Sequence, residues 1–219
     1  MYKLAVFDLD GTLLDTLDDI AASCNRALRL CGFPLREKQE YRQFLGFGMR
    51  RLVQLAMPEE ARDDEGTVHR MMELHREYYG EHATDATGPY PGISRLLGDI
   101  RRAGVRTAVL SNKPHDPTVL LTERFFPDLM DYCAGQREGV PTKPDPAAVT
   151  EIIARFGFDK ADCVYIGDSE VDARTGRNAG IDAIGVTWGF RDCPVLQAEG
   201  LRMIADTAKE LSKFILDKA

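Results

Sequence analysis

The stretch LAVFDLDGTLLDT, residues 4–16, decides the fold. Leu4-Ala5-Val6-Phe7 is an apolar run that stops abruptly at Asp8. Such runs belong to strands buried on both faces of a parallel sheet, and this one is too short for a helix. Asp8 and Asp10 stand two positions apart, so strand alternation sends both carboxylates to the same side. Gly11 lets the backbone turn away behind them. Two carboxylates are thus expected side by side at the carboxyl end of a core strand, where open α/β sheets hold their ligands.

Like charges at that spacing repel. A protein that keeps them needs compensation, most simply a hard cation with oxygen ligands such as magnesium. A solvated acidic turn would account for one aspartate, but it suits poorly a pair framing Leu9 at the end of a core strand. The rest of the composition narrows the partners. A net charge of −7 over 219 residues argues against nucleic acid or an anionic membrane. No apolar stretch reaches membrane length, and the N-terminus enters the first strand at once, leaving no room for a signal peptide. Five cysteines with no CxxC pair suit a reducing, cytoplasmic compartment. Cys24 and Cys31, seven apart on one expected helix, read as small apolar packing residues.

Thr16 is placed to cap a helix, with Asp19 three residues on as its capping-box partner. Apolar residues at 17, 20, 21, 24, 27, 28 and 31 give that helix its spacing, and Gly32 and Pro34 end it. Further helical segments are expected at Tyr41–Leu45, Leu52–Met57 and about Thr67–His82. Past Gly88-Pro89-Tyr90-Pro91-Gly92 the pattern alternates. Strands are expected at Val105–Leu110, Tyr132–Ala134, Cys163–Ile166, Ile181–Val186 and Met203–Ala205. Helices are expected at Ile93–Ala103, Pro117–Phe125, Pro146–Phe156 (Asp145 as cap), Val171–Ala179 and from Thr207 onward. Alternation of this kind predicts a doubly wound α/β fold, a Rossmann-like parallel sheet covered on both faces. Residues 1–14 and 87–219 would form this core, and 15–86 an all-helical insertion after strand one. Its two tethers, at 14–16 and 88–92, would let it work as a lid.

Three further motifs fall at strand ends. Ser111-Asn112 offers a hydroxyl and backbone amides to an anionic oxygen. Lys143 lies in Pro141-Thr142-Lys143-Pro144-Asp145-Pro146, where flanking prolines restrict the backbone and aim the cation. In Gly167-Asp168-Ser169-Glu170-Val171-Asp172, Asp168 can complete a metal site with the first pair. Asp172, four residues on, is placed to orient Lys143.

The order Asp-x-Asp, Ser, Lys, Asp-xxx-Asp, each piece after its own strand, resembles the haloacid dehalogenase-like phosphohydrolase superfamily. The resemblance covers essentially the whole chain, helical cap included, and all four motifs are present. It implies an enzyme in which Asp8 attacks phosphorus to form an aspartyl-phosphate. Asp10 would protonate the leaving oxygen and then activate water. Thr12 would hydrogen-bond near Asp10. Ser111, the Asn112 backbone and Lys143 would hold the phosphoryl oxygens, and Asp172 and Ser169 would support them. Asp8, the Asp10 carbonyl and Asp168 would bind Mg²⁺. The chemistry agrees, since phosphoryl transfer is mostly positioning and charge neutralisation.

Within the superfamily, DGTLLDTLDDI, Gly46-Phe47-Gly48, Pro89-Tyr90-Pro91-Gly92 and Val186-Thr187-Trp188-Gly189 resemble the phosphoglycolate phosphatases. The β-phosphoglucomutases usually carry a histidine where this chain has Ile20, and the pyrophosphatases tend to carry prolines where Gly48 and its neighbours stand. A small phosphate ester, 2-phosphoglycolate first, is therefore the expected substrate, with Arg50 and the glycine-flanked loop ahead of it meeting its carboxylate. The assembly is expected to be a monomer or homodimer. A receiver-like signalling protein shares the aspartate, magnesium, hydroxyl and lysine, but lacks an acid two residues on and a lid of this size. His69, His75 and His82 lack the i, i+4 spacing of a helical metal site and are expected on a solvated helix. Trp188 receives no role.

Overall fold

The first strand, β1 (Leu4–Phe7), is completely buried. Ala5 and Phe7 face one apolar cluster, while Leu4 and Val6 face another. That two-sided burial explains why the run is unbroken by polar residues. In the computed structural model, which describes residues 1–218, there are seven further strands. They are β2 (Leu14–Asp15), β3 (Gly88–Pro89), β4 (Arg106–Pro114), β5 (Tyr132–Gln136), β6 (Cys163–Gly167), β7 (Asp182–Val186) and β8 (Met203–Ala205). Six of the strands form an all-parallel sheet of order β5-β4-β1-β6-β7-β8. The chain builds outward from β1 through β4 to β5, then crosses back to β6 on the other side. The order therefore reverses at β1, and its carboxyl end opens into the crevice where such sheets bind ligands.

Four helices, α1 (Leu17–Leu30), α2 (Lys38–Phe44), α3 (Met49–Ala56) and α4 (Glu65–His82), lie between β2 and β3. The remaining helices are α5 (Ile93–Arg102), α6 (His115–Phe125), α7 (Ala147–Phe156), α8 (Glu170–Ala179), α9 (Cys193–Ala198) and α10 (Ala208–Leu216). One apolar cluster takes in α5, α6 and α10 and runs on into the four-helix block, while α7 covers the opposite face. Leu14 and Asp15 pair antiparallel with Pro89 and Gly88, so the way into the block and the way out are hydrogen-bonded together. The turn between β1 and β2 needs Gly11 at φ +85°, a conformation that L side chains rarely adopt.

Several local expectations are corrected. Thr16 precedes α1, yet its hydroxyl is buried without a partner and caps nothing. Asp19 is drawn away from the capping box because its carboxylate accepts from the Ala86 and Thr87 backbone N–H and from the Thr87 hydroxyl at 2.7–3.1 Å. Helix α7 begins at Ala147 with Pro146 as its cap residue, and Asp145 accepts from the Ala147 N–H instead. Strand β4 continues through Ser111, Asn112 and Lys113 to Pro114 rather than ending at Leu110. Its polar end hid the continuation. Helix α9 was not expected, its apolar pattern being only six residues long.

Candidate active site

Asp8 leaves β1 at the switch point and is 5% exposed. Its Oδ1 accepts from the Leu9 N–H at 2.7 Å and lies 2.9 Å from Lys143 Nζ. Lys143 Nζ also donates to Asp172 Oδ1 at 2.8 Å. The other oxygen of Asp172 accepts from the Ser169 N–H and hydroxyl, while the Ser169 hydroxyl caps α8 in return. The lysine is thus held between two carboxylates, one on the central strand and one in the first turn of a helix. The expected pairing of Asp172 with Lys143 is present, and Ser169 bonds to Asp172 from behind.

Asp168 ends the strand beside β1. Its Oδ1 accepts from the Thr12 hydroxyl at 2.9 Å and its Oδ2 from the Phe190 N–H at 2.7 Å. Thr12 therefore serves Asp168, not Asp10, because the turn at Gly11 swings it across to the neighbouring strand. The approach is close: a Cβ on Gly11 would sit 2.5 Å from Asp168 Oδ2.

Asp8, Asp168 and Asp172 are buried and offer carboxylate oxygens that all lie within 4.8 Å of one another. Burial pushes the Asp8 carboxyl up to about 7; Lys143 opposes the shift, and the neighbouring Asp172 and Asp10 add to it. Burial, then Asp172 and Asp8, push Asp168 up to about 8. Burial works against the charge of Lys143, but Asp172 and Asp8 override it and hold the ammonium well above its usual range. Asp172 is already engaged by Lys143 and Ser169. That leaves Asp8 and Asp168 as a crowded pair of oxygen donors with more negative charge than one lysine balances, a donor set that fits a hard divalent cation. The Asp10 carboxylate is not in this cluster, so any ligation by Asp10 would fall to its main-chain carbonyl.

Asp10 instead pairs with Lys113, a residue not singled out from the sequence. Lys113 Nζ lies 3.0 Å from both Asp10 carboxylate oxygens, and its side chain is 6% exposed. It also stands 4.6 Å from the centroid of the Tyr79 ring of α4. The signal was available, since a strand continued to Lys113 puts it, two residues on, on the side of Ser111. Reading β4 as finished at Leu110 removed it.

Asp8, Asp10, Ser111, Asn112 and Lys113 line a cavity closed from the helical block by Ile20, Leu45, Gly46, Gly48, Met49, Leu52 and His75. The Asn112 side chain clasps the two sides: its Nδ2 donates to the Gly46 and Lys143 carbonyls, and its Oδ1 accepts from the Lys143 N–H. His75 is buried rather than solvated, stacked on Tyr79 and 3.4 Å from Cys24 Sγ. Burial, with Lys113 and Arg76 adding to it, lowers its pKa to about 3 and keeps the ring neutral. Arg50 does not line the cavity. One residue past Met49, it is turned about 100° around the helix, where it is half-exposed and ion-paired with Glu65. Trp188 donates its indole N–H to the Thr12 carbonyl at 3.0 Å and so buttresses the Asp10–Thr12 turn.

The comparisons with known proteins bear on the family of this chain. The sequence profile of a family described as haloacid dehalogenase-like hydrolase matches residues 5–186. A phosphoglycolate phosphatase of Pseudomonas putida is 29% identical over 99% of this chain and 81% of its own length. One of Mesorhizobium japonicum is 31% identical over 92% of this chain and 90% of its own. A crystal structure from Lactobacillus delbrueckii, of a protein designated by inference a phosphoglycolate phosphatase, superposes with a TM-score of 0.92 at 37% identity. It covers 98% of both chains.

Proposed function

The chain belongs to the haloacid dehalogenase-like hydrolase family, and on that premise we propose that it is a magnesium-dependent phosphatase of small phosphate monoesters, 2-phosphoglycolate foremost. The observation that carries the reading is Lys143 held between Asp8 at 2.9 Å and Asp172 at 2.8 Å, beside Asp168, at the switch point of the sheet. A carboxylate, a fixed cation and a second carboxylate on the neighbouring strand are the parts that phosphoryl transfer to an aspartate requires.

In the first step an Asp8 oxygen forms a bond to phosphorus while the bond from phosphorus to the ester oxygen breaks. Asp10 gives its proton to the departing alkoxide. In the second step Asp10 takes a proton from water, whose oxygen attacks phosphorus and releases Asp8 with inorganic phosphate. Lys143, Ser111 and the Asn112 backbone hold the phosphoryl oxygens. Asp8, Asp168 and the Asp10 carbonyl would hold Mg²⁺, which when bound neutralises charge on those oxygens. Residues 15–86 would act as a cap that excludes water, with residues 1–14 and 87–219 as the catalytic core. Ile20 in the cavity wall, which cannot carry a proton, favours a hydrolase over a mutase.

The substrate preference draws on the relatives. A soluble cytoplasmic enzyme, as monomer or homodimer, fits the five free cysteines and the absence, among the described residues, of a helix able to cross a membrane. Phosphate release with Mg²⁺ from 2-phosphoglycolate, pyrophosphate, β-glucose 1-phosphate and a nitrophenyl ester tests the reading. The highest kcat/KM is expected for 2-phosphoglycolate, and excess EDTA should stop turnover. Asp8→Asn should remove activity by at least about a thousandfold, on the order of the loss when a nucleophile is deleted, with an unchanged circular dichroism spectrum. Substantial phosphatase activity in that variant would defeat the nucleophile assignment.

A further inference from the structure

We propose that Lys113 is the specificity-determining residue of this site, and that its ammonium receives a carboxylate carried by the leaving group of the ester. The inference deepens the phosphatase reading above and rests on it.

Four observations carry it. First, Lys113 Nζ is 3.0 Å from both oxygens of Asp10, the residue that the mechanism above assigns to the leaving oxygen. In an ester whose carboxylate is two bonds from that oxygen, the carboxylate falls next to whatever touches Asp10. Second, Lys113 is the single lysine or arginine among the residues lining the cavity. Lys143, at the phosphoryl end, is shared by two carboxylates, Asp8 and Asp172, whereas Lys113 is paired with Asp10 alone. Third, the ammonium is fixed rather than mobile. Its side chain is buried and its Nζ is seated over the Tyr79 ring at 4.6 Å, so little rotamer freedom remains to be lost on binding. Fourth, the wall facing it from the helical block is uncharged: Met49 and Leu52 are apolar, and His75 is neutral. A carboxylate entering there meets a cation whose one paired carboxylate is Asp10, with no further counter-ion from the cap, in a setting where charge-assisted hydrogen bonds are strong. Arg50, the candidate from the sequence, is turned away and paired with Glu65.

The discriminating experiment uses two esters that differ only at the group in question, 2-phosphoglycolate and 2-hydroxyethyl phosphate. Their kcat/KM values are measured with Mg²⁺ for the wild type, Lys113→Met and Lys113→Arg. The wild type is expected to favour the carboxylated ester. Lys113→Met should lower the ratio between the two esters at least tenfold, chiefly through KM for 2-phosphoglycolate, whatever happens to kcat on both. Lys113→Arg, which keeps the charge, should restore part of the ratio. If Lys113→Met lowers both esters equally and leaves the ratio intact, the lysine only positions Asp10 and the proposal falls. If the wild type hydrolyses both esters equally, the phosphatase stands but the proposal is overturned, an outcome that needs no variant to fold. If the wild type hydrolyses neither, the phosphatase reading itself fails and takes the inference with it.

Discussion

Lys143 pairs with two carboxylates at once, and its own side chain is only 2% exposed. Replacing it by Met would leave Asp8 and Asp172 buried without their cation. Breaking a buried charge pair from one side costs about 3–5 kcal/mol. Asp8, already pushed up to about 7, can escape part of that cost by taking up a proton. Urea unfolding of Lys143→Met should therefore show a loss of about 3 kcal/mol near pH 8 and a smaller one near pH 5. An equal loss at both values would show that Asp8 is not the group left unpaired. At this scale the sequence was legible where spacing constrained geometry. Asp8, Lys143 and the Asp168–Asp172 pair are together because they follow three strands of one sheet, β1, β5 and β6. The partner of Thr12 and the presence of Lys113 in the site were missed because they depend on a turn at Gly11 and on a strand running four residues past its apolar part.

The elements were legible from periodicity, and their ends were not. The start of α1 shows why. Thr16 and Asp19 have the spacing of a capping box, but local spacing carries no information about residue 87. In the fold, the Asp19 carboxylate accepts from the Ala86 and Thr87 N–H groups and from the Thr87 hydroxyl. These bonds sit beside the β2–β3 ladder and tie the exit of the helical block to its entrance. Asp19→Ala would leave the Thr87 N–H and hydroxyl buried without acceptors, at a cost of about 1–3 kcal/mol. The loss should also be local. Amide exchange at Ala86, Thr87 and the β2–β3 pair should quicken more than exchange in β1, and proteolysis between residues 83 and 88 should increase. Uniform acceleration throughout the sheet would argue that Asp19 merely stabilises α1. Asp19→Asn, which keeps one acceptor oxygen, should fall between the two.

For the whole molecule, strand–helix alternation foretold the core, a parallel sheet covered by helices. The fastening of the helical block, itself expected as a lid, was not foretold. It depends on Arg191, beyond β7, which donates to the carbonyls of Arg42, Gln43 and Leu45 at the end of α2 while paired with Glu170 at 2.8 Å. Arg42 answers by donating to the Gly189 carbonyl, next to the Phe190 N–H that holds Asp168. Contacts across some 150 residues of chain, made to backbone carbonyls, leave no pattern in a sequence. They do tie the position of the block to the carboxylate cluster, and that cluster sets how the whole fold should respond to pH. Asp8 and Asp168 are raised from 3.8 to about 7 and about 8, so between those limits the folded protein holds protons that the unfolded chain has released. Metal-free stability must then fall as pH rises through that window. His75 has the opposite sign. Lowered from 6.5 to about 3, it favours the fold above 6.5 and costs stability as pH drops below it. The interval from 6.5 to 8 therefore isolates the carboxylates. A cation bound to their ionised forms removes the penalty, so the rise in Tm on replacing EDTA by saturating Mg²⁺ should be larger at pH 8 than at pH 6.5. Equal rises at the two values would place the metal on groups other than Asp8 and Asp168.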